Sequence, residues 1–241
     1  MSFGSVKLTH NDGTMHHLGI DETMVAKRVI LTPDPLQIPR YAAMMEQAEK
    51  VGEYREYVTY TGTMLGSPLS VMSCGFGCMP MAIAVEELHH LGVEEIIKIG
   101  CCPALQPETA VGTLLVASGA VRGEGATREY IDISYPAAPD MTLLASLLKH
   151  GAEYGIFRSH DCLTLETPRT EFGRERLARW QALGAAAVDG ETSALYVVSS
   201  ILKVRAASLA LVTENYATGA RLEAPAEERL FRLAAEALLC R

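Results

Sequence analysis

The chain has 241 residues, of which 49% are hydrophobic and 21% are charged. This composition excludes disordered, fibrous and low-complexity proteins, while the length is compatible with one large α/β domain or two small ones. The formal net charge of −8 opposes long-range attraction to phosphate backbones and to anionic lipid, so neither nucleic acid nor a membrane is expected as a partner.

The cysteines and the amino terminus predict a cytoplasmic protein. Six cysteines are too few for a disulfide scaffold in a chain of this length, and Cys101 and Cys102 are adjacent, which suits neither a disulfide nor a zinc pair. We therefore expect reduced thiols. The first residues lack the apolar core of a signal peptide. No His, Cys and Asp set has the spacing of a closed zinc site, and the Gly-x-Gly turn at residues 73–77 is neither a Walker loop nor a dinucleotide fingerprint. We therefore predict neither a metal nor an organic cofactor.

Strands and helices are predicted to alternate along the chain, from the spacing of apolar residues and the positions of Gly and Pro. In chain order these elements are a strand at 29–32, a helix at 41–51, a hairpin with strands at 58–65 and 69–73, a helix at 81–91, strands at 94–99 and 112–121, a helix at 141–153, a strand at 155–162, a helix at 170–183, a strand at 187–189, a helix at 191–202, a strand at 206–213 and a helix at 224–240. Residues 100–103 are predicted to be irregular.

This alternation predicts one α/β domain over residues 1–241, in which residues 1–14 form a loose extension. Helices must then cover both faces of a central mixed sheet. In such sheets, ligands bind where strands end and the chain turns into a helix or loop. The polar residues at predicted strand ends are therefore the candidates for a functional site.

Three strand ends carry candidate residues, and each has a structural alternative. The Gly-x-Gly turn at residues 73–77 can aim backbone N–H groups at an anion or a sugar, although tight packing is the commoner reason for such a turn. Asp189 and Glu191 flank a glycine, where they can cap a helix or accept hydrogen bonds from sugar hydroxyls. Glu214 is a similar strand-end acid, or simply the start of a surface loop.

The longest informative run is residues 70–88, Ser-Val-Met-Ser-Cys-Gly-Phe-Gly-Cys-Met-Pro-Met-Ala-Ile-Ala-Val-Glu-Glu-Leu, continued at 91–100 by Leu-Gly-Val-Glu-Glu-Ile-Ile-Lys-Ile-Gly. His17-Leu18-Gly19 and Pro33-Asp34-Pro35 precede it, and the segment 189–194 follows it in the expected order. With these motifs, residues 15–240 resemble the nucleoside phosphorylase-I family, particularly its uridine phosphorylase branch.

The resemblance implies a mixed sheet forming a distorted barrel, flanked by helices. It also implies a homodimer, or a hexamer built as a trimer of dimers, in which each chain lends a His and an Arg to its neighbour's site. Here these are His17, near the ribose 5′-hydroxyl, and Arg55, near the anion. Glu191 matches the glutamate that binds ribose hydroxyls. Asp189 and Gly190 replace Glu and Met, so the sugar contacts are expected to differ there.

The positions that match the family's phosphate site are altered. Pro33 stands for a Gly and removes a backbone donor, and Gln37 stands for an Arg and loses its charge. Lys98 stands for a second Arg and keeps the charge without the bidentate fork, while Cys101 stands for a Ser or Thr. We therefore expect weakened phosphate binding.

The positions that match the base site are altered as well. Leu163 stands for an aromatic stacking residue and Thr167 for a Gln that reads uracil, whereas Arg169 matches the family's uracil-binding Arg. These changes predict that plain uridine is not the preferred substrate. Glu214 lies near the acid that protonates purines in purine-directed relatives, so the resemblance leaves the base class open.

The leading hypothesis is an enzyme that cleaves the N-glycosidic bond of a nucleoside, with phosphate as co-substrate and pentose 1-phosphate as product. Arg169 or Glu214 would stabilise or protonate the departing base. Two alternatives stay open: a hydrolytic nucleosidase in which water replaces phosphate, and a non-catalytic nucleoside-binding protein.

Overall fold

A computed structural model describes residues 8–224 and 227–240. The elements in chain order are β1 (Arg28–Thr32), α1 (Ile38–Ala42), β2 (Glu46–Tyr54), β3 (Tyr57–Met64), β4 (Ser67–Ser73), α2 (Cys78–His90), β5 (Glu95–Ala104), β6 (Leu114–Gly123), α3 (Ala126–Tyr130), α4 (Met141–Lys149), β7 (Glu153–His160), α5 (Glu171–Ala182), β8 (Ala185–Asp189), α6 (Thr192–Leu202), β9 (Arg205–Asn215) and α7 (Glu227–Leu239). A short 3-10 helix, Pro35–Gln37, precedes α1.

The strands form one mixed sheet in the order β2-β3-β4-β1-β5-β8-β7-β6-β9, and β9 also pairs with β5. That last pairing closes β5, β8, β7, β6 and β9 into a five-stranded barrel, from which the other four strands extend. The pairing of β5 with β1 and with β9 is parallel, and β7 is parallel to β8. The predicted α/β class with a mixed sheet and distorted barrel is confirmed.

Two helical layers cover the sheet. On one side α2 packs against α6, with Val85 and Leu195 fully buried between them and the strands. On the other side α4 packs against α7, and the ring of Phe231 stacks on Tyr41 of α1 at 4.9 Å. Full burial of each such apolar side chain contributes about 1.5–3 kcal/mol. These layers hold the strand ends in fixed positions.

The prediction of a helix at residues 41–51 is wrong. The helix α1 ends at Ala42, and residues 46–54 form β2, an antiparallel edge strand beside β3. Ala, Met and Glu favour a helix locally, but pairing with β3 overrides that preference. The strand is irregular, since its register shifts between Glu46 and Glu49 and Gln47 has a left-handed φ of 51°.

The other differences from the predicted elements are smaller. Residues 100–103 belong to β5, whose register against β9 shifts between Cys102 and Pro103. The helix α3 was missed. Helix α7 begins at Glu227, and residues 225 and 226 lie outside the described residues. Of the predicted extension at 1–14, residues 1–7 also lie outside them, while Thr9 forms a β-bridge with Met15.

In the described part of the chain, no helix has both the length and the apolar character needed to cross a membrane.

Candidate active site

Two adjoining cavities lie beyond the ends of β1, β5, β7, β8 and β9. The first, here called the carboxylate cavity, measures about 230 Å³, and its lining includes Pro33, Gln37, Cys101, His160, Leu163, Asp189, Gly190 and Glu191. The second, the arginine cavity, measures about 360 Å³, and its lining includes Thr167, Arg169, Glu214 and Arg221. The two cavities share Pro103 and Tyr216.

A buried ion cluster forms the base of the carboxylate cavity. Lys98 Nζ lies 3.1 Å from Asp189 Oδ2 and 3.0 Å from Glu191 Oε2, and all three side chains are at most 5% exposed. Burial by itself would lower the pKa of Lys98, but the carboxylates of Glu191 and Asp189 outweigh it and the net shift is upward. The lysine is therefore charged, and its charge is already matched by two carboxylates.

The contacts of Asp189 are those of a positioning group. Its Oδ1 accepts a hydrogen bond from Ser159 Oγ at 2.7 Å, and its Oδ2 accepts from the backbone N–H of Thr192 at 3.1 Å and from the Thr192 hydroxyl. Asp189 thus ties β7 and β8 to the first turn of α6. Asp189 makes a capping contact at the start of α6, whereas the side chain of the N-cap residue Glu191 makes none.

Glu191 connects the ion cluster to the Gly-x-Gly turn. Its Oε1 accepts a hydrogen bond from the backbone N–H of Gly77 at 3.1 Å, where α2 begins. Gly75 and Gly77 have φ of +71° and +98°, which side-chain-bearing residues rarely adopt. The turn therefore does aim an N–H group at an anion, and that anion is the chain's own carboxylate, which also lines the cavity.

The remaining positions aligned with a phosphate site are also engaged or uncharged. Gln37 donates from Nε2 to Glu227 Oε1 at 2.9 Å and accepts from the Tyr41 hydroxyl at 2.8 Å. Desolvation and the nearby Glu227 raise the pKa of the exposed Cys101 thiol to about 11, so it is protonated near neutral pH. Pro33 lines the wall without an N–H. Among the described residues, no Lys or Arg lines this cavity.

His17 and Arg55 line neither cavity. The imidazole of His17 is held at Nδ1 by Glu87 Oε1 at 2.6 Å, and Glu87 also accepts from the backbone N–H groups of His17 and Leu18. Arg55 sits in the exposed turn between β2 and β3, with its guanidinium 5.3 Å from the centre of the Tyr54 ring. The His17 side chain is 32% exposed, and Arg55 is exposed.

The residues aligned with a base site divide between the cavities. Leu163 lies in the carboxylate cavity, where its Cδ1 is 3.2 Å from the place that a Cβ at Gly190 would occupy. Leu163 thus fills part of the space left by the missing side chain. Thr167, Arg169 and Glu214 lie together in the arginine cavity. There Arg169 is exposed, and Glu214 is weakly paired, since Arg221 Nε lies 3.5 Å from Glu214 Oε1.

Sequence reasoning missed three residues at the cavities. Tyr216 lines both of them. Glu166 is buried and forms ion pairs with Arg158 at 2.9 Å and Arg176 at 2.8 Å. Burial would raise the pKa of Glu166, but Arg158, His160 and Arg176 lower it overall. His160, 2% exposed, is the last residue of β7. The available signal was position, because His160 ends β7 and ligands were expected where strands end.

Within the described ranges, no group of three or more His, Cys, Asp or Glu side chains is placed to hold a metal ion.

Comparison with known proteins identifies the family. Residues 27–240 match the model of the Phosphorylase superfamily. The chain is 35% identical to uridine phosphorylase of Treponema pallidum, over 97% of this chain and 96% of that one. It is 30% identical to guanosine phosphorylase of Halorubrum lacusprofundi, over 89% of each.

Solved structures agree with the sequence comparisons. A crystal structure of uridine phosphorylase from Vibrio fischeri ES114 superposes with a TM-score of 0.85 and 28% identity, covering 96% of this chain and 99% of the other. Fold, cavities and sequence therefore lead to one conclusion. The chain belongs to the phosphorylase superfamily and is a pentosyltransferase that cleaves the glycosidic bond of a nucleoside with phosphate, releasing the base and a pentose phosphate.

Proposed function

We propose that this enzyme holds the sugar and phosphate in the carboxylate cavity and the base in the arginine cavity, and that the base carries a carbonyl group next to a ring N–H. The observation that carries this proposal is the pair of adjoining cavities, with Glu191 in one and Arg169 with Glu214 in the other. A nucleoside also has two unlike halves, a polyhydroxy sugar and a flat base, joined by the bond to be broken.

The carboxylate cavity suits the sugar. Glu191 accepts hydrogen bonds from ribose hydroxyls in this proposal, while Lys98 and Gly77 keep its carboxylate in place. Cleavage of the glycosidic bond builds positive charge on the sugar. The cluster of Lys98 with two carboxylates has a net charge of −1, which stabilises that developing charge without any reorganisation.

The arginine cavity suits an oxo base. Arg169 can only donate hydrogen bonds, and ionised Glu214 can only accept them. A carbonyl oxygen next to a ring N–H presents the complementary acceptor and donor, and both uracil and guanine have this edge. The names of the relatives, uridine phosphorylase and guanosine phosphorylase, are consistent with it. Arg169 would also stabilise negative charge on the departing base.

Phosphate binding requires a second chain in this proposal. A dianion needs several charge-assisted contacts, and no Lys or Arg among the described residues lines the carboxylate cavity. Arg55 is exposed on its own chain, so a neighbouring copy can present it to the anion and present His17 to the ribose 5′-hydroxyl. We therefore propose at least a homodimer with shared sites, and a hexamer if such dimers form a trimer. Cys101 and the wall around Pro33 and Gln37 would surround the phosphate.

The test is base release from uridine, guanosine, cytidine and adenosine, each with and without inorganic phosphate and with EDTA present throughout. We expect cleavage of uridine and guanosine, formation of ribose 1-phosphate and little reaction of the amino bases. Glu191→Gln serves as the matched variant and should abolish turnover. Equal cleavage of cytidine and adenosine would overturn the proposed base preference. Equal release without phosphate, yielding free ribose, would instead indicate hydrolysis.

A further inference from the structure

The imidazole of His160 is a buried group with one unused nitrogen. The side chain is 2% exposed and lines the carboxylate cavity. Its Nδ1 accepts a hydrogen bond from the backbone N–H of Cys162 at 3.2 Å. Its Nε2 is buried and has no hydrogen-bond partner among residues 8–224 and 227–240. Since buried polar groups are nearly always paired in native proteins, an unpaired one beside a cavity points to a ligand.

The contact with Cys162 also determines where the imidazole carries its proton. A backbone N–H only donates, so Nδ1 is the acceptor of the neutral ring and Nε2 carries the hydrogen. Burial lowers the pKa of His160, and this favours the neutral form. Glu166 Oε2 lies 3.7 Å from Nδ1. His160 therefore offers the cavity a fixed hydrogen-bond donor without a net charge.

The order of strands indicates which part of the substrate this donor faces. The positions aligned with the anion, Pro33 and Cys101, follow or belong to β1 and β5. Glu191 follows β8, and His160 ends β7. Because the sheet order is β1-β5-β8-β7, Glu191, the residue proposed to bind the sugar, lies between His160 and the positions aligned with the anion. In a displacement at the sugar carbon, the attacking phosphate and the departing base occupy opposite sides of the sugar.

We propose that His160 Nε2–H donates a hydrogen bond to the departing base at the acceptor atom one carbon removed from the glycosidic nitrogen. In uridine this atom is the 2-carbonyl oxygen, and in guanosine it is ring nitrogen N3. As the bond from C1′ to nitrogen breaks, its electron pair moves onto the base, while a phosphate oxygen bonds to C1′. His160 keeps its proton and stabilises the new negative charge. This inference rests on the proposed function and adds a catalytic residue to it.

A pair of variants separates the donor from the structural role of the ring. In His160→Asn, the amide oxygen can still accept from the Cys162 N–H, but nothing donates from the Nε2 position. In His160→Gln, the amide nitrogen reaches that position and restores a donor. Loss of a hydrogen bond to a charged group lowers an equilibrium or rate constant by roughly 10- to 150-fold. The variant His160→Asn should therefore lower kcat/KM for uridine by that factor. Gln should retain most of the activity.

A leaving-group comparison identifies the part of the substrate involved. With 5-fluorouridine, whose base anion needs less stabilisation, the loss caused by His160→Asn should be smaller than with uridine. The KM for phosphate should not change in either variant. The control is His150→Asn, because the imidazole of that histidine bonds the Ser146 carbonyl of its own helix at the end of α4 and lines neither the carboxylate nor the arginine cavity.

Several results would overturn the inference while leaving the proposed function intact. These are full activity of His160→Asn, equal losses in the Asn and Gln variants together with lowered melting temperatures, or a loss confined to the KM for phosphate. A wild-type enzyme inactive on every nucleoside would instead overturn the proposed function, and this inference with it.

Discussion

The two cavities share a wall but differ in how far their charged side chains are buried and paired. In the carboxylate cavity, Lys98 is fully buried and bonded to Asp189 and Glu191. In the arginine cavity, Arg169 is exposed, and the Glu214 carboxyl is about a third exposed and lies 3.5 Å from Arg221. The first set of charges is buried and paired within the chain, whereas the second is exposed and open to a ligand.

This difference shows that a lysine aligned with the family's phosphate-binding arginine does not necessarily bind the ligand itself. Removing Lys98 from its two carboxylates to bind phosphate would leave buried charges unpaired, which is costly in a medium of low dielectric constant. The same residue type at the rim of a site carries no such constraint. The buried cluster is therefore suited to stabilising a cationic sugar, and in the proposed function a cation from elsewhere meets the anion.

The largest effect we predict is on stability, at Lys98. Lys98→Met leaves two buried carboxylates without their cation, so the free energy of unfolding should fall by about 3–5 kcal/mol. Arg169→Met removes an exposed cation by the same substitution and should change it by less than about 0.5 kcal/mol. Urea unfolding of both variants at one protein concentration measures the difference. Similar values for the two variants would show that the cavities do not differ as described.

The second prediction concerns activity at Arg169. Arg169→Met should lower kcat/KM for uridine and guanosine by roughly 10- to 150-fold, since a hydrogen bond to a charged partner is lost on the departing base. Its folding should be unchanged, as the unfolding experiment above checks. Arg221→Met is the matched variant in the same cavity and should have a smaller effect. A reversed ranking of these two variants would move the base contact from Arg169 to Arg221.

The smallest effect we predict is a pH dependence of stability at His160. Burial lowers the folded-state pKa of His160 below 6.5. Glu166 and Asp189 oppose this shift, and Arg158 and Arg176 support it. The unfolded chain therefore takes up the proton at higher pH than the folded one, and stability declines as the pH falls below 6.5.

His160→Asn cannot bind that proton, so its unfolding free energy should decline less than that of the wild type between about pH 7 and pH 5.5. Urea unfolding at both pH values measures the two slopes. Parallel slopes would mean that His160 titrates alike in the folded and unfolded chain, and would remove this support for a neutral donor.

Most of the fold was predictable because its signals are local. The hairpin of β3 and β4 was predictable from the Gly-Ser-Pro sequence between two runs rich in β-forming residues. The strand β2 was not predictable, because its composition favours a helix and only pairing with β3 decides otherwise. Closure of the barrel by β9 on β5 joins segments about a hundred residues apart, and no local pattern encodes it.

The candidate site was predictable as a set of positions but not as a set of contacts. Glu191 and Leu163 line one cavity, although the alignment assigned Glu191 to the sugar and Leu163 to the base. Lys98 pairs with Asp189 and Glu191, which lie 91 and 93 positions further along the chain. The sequence does not reveal this pairing, since a lysine at the centre of a strand has the same local pattern whether it is free or paired. His160 was overlooked for a related reason: an unpaired ring nitrogen is visible only in three dimensions.

The central claim, that a second chain supplies the missing cation, is tested most directly by subunit complementation. Arg55→Met and Glu191→Gln should each be inactive alone. The two variants are co-expressed with different affinity tags, and mixed dimers are purified through both tags. Each mixed dimer has one site that combines the intact Glu191 of one chain with the intact Arg55 of the other. We predict that phosphate-dependent cleavage of uridine returns in the mixed dimer, to about half of the wild-type value per dimer. Doubly purified dimers that stay inactive would contradict the account.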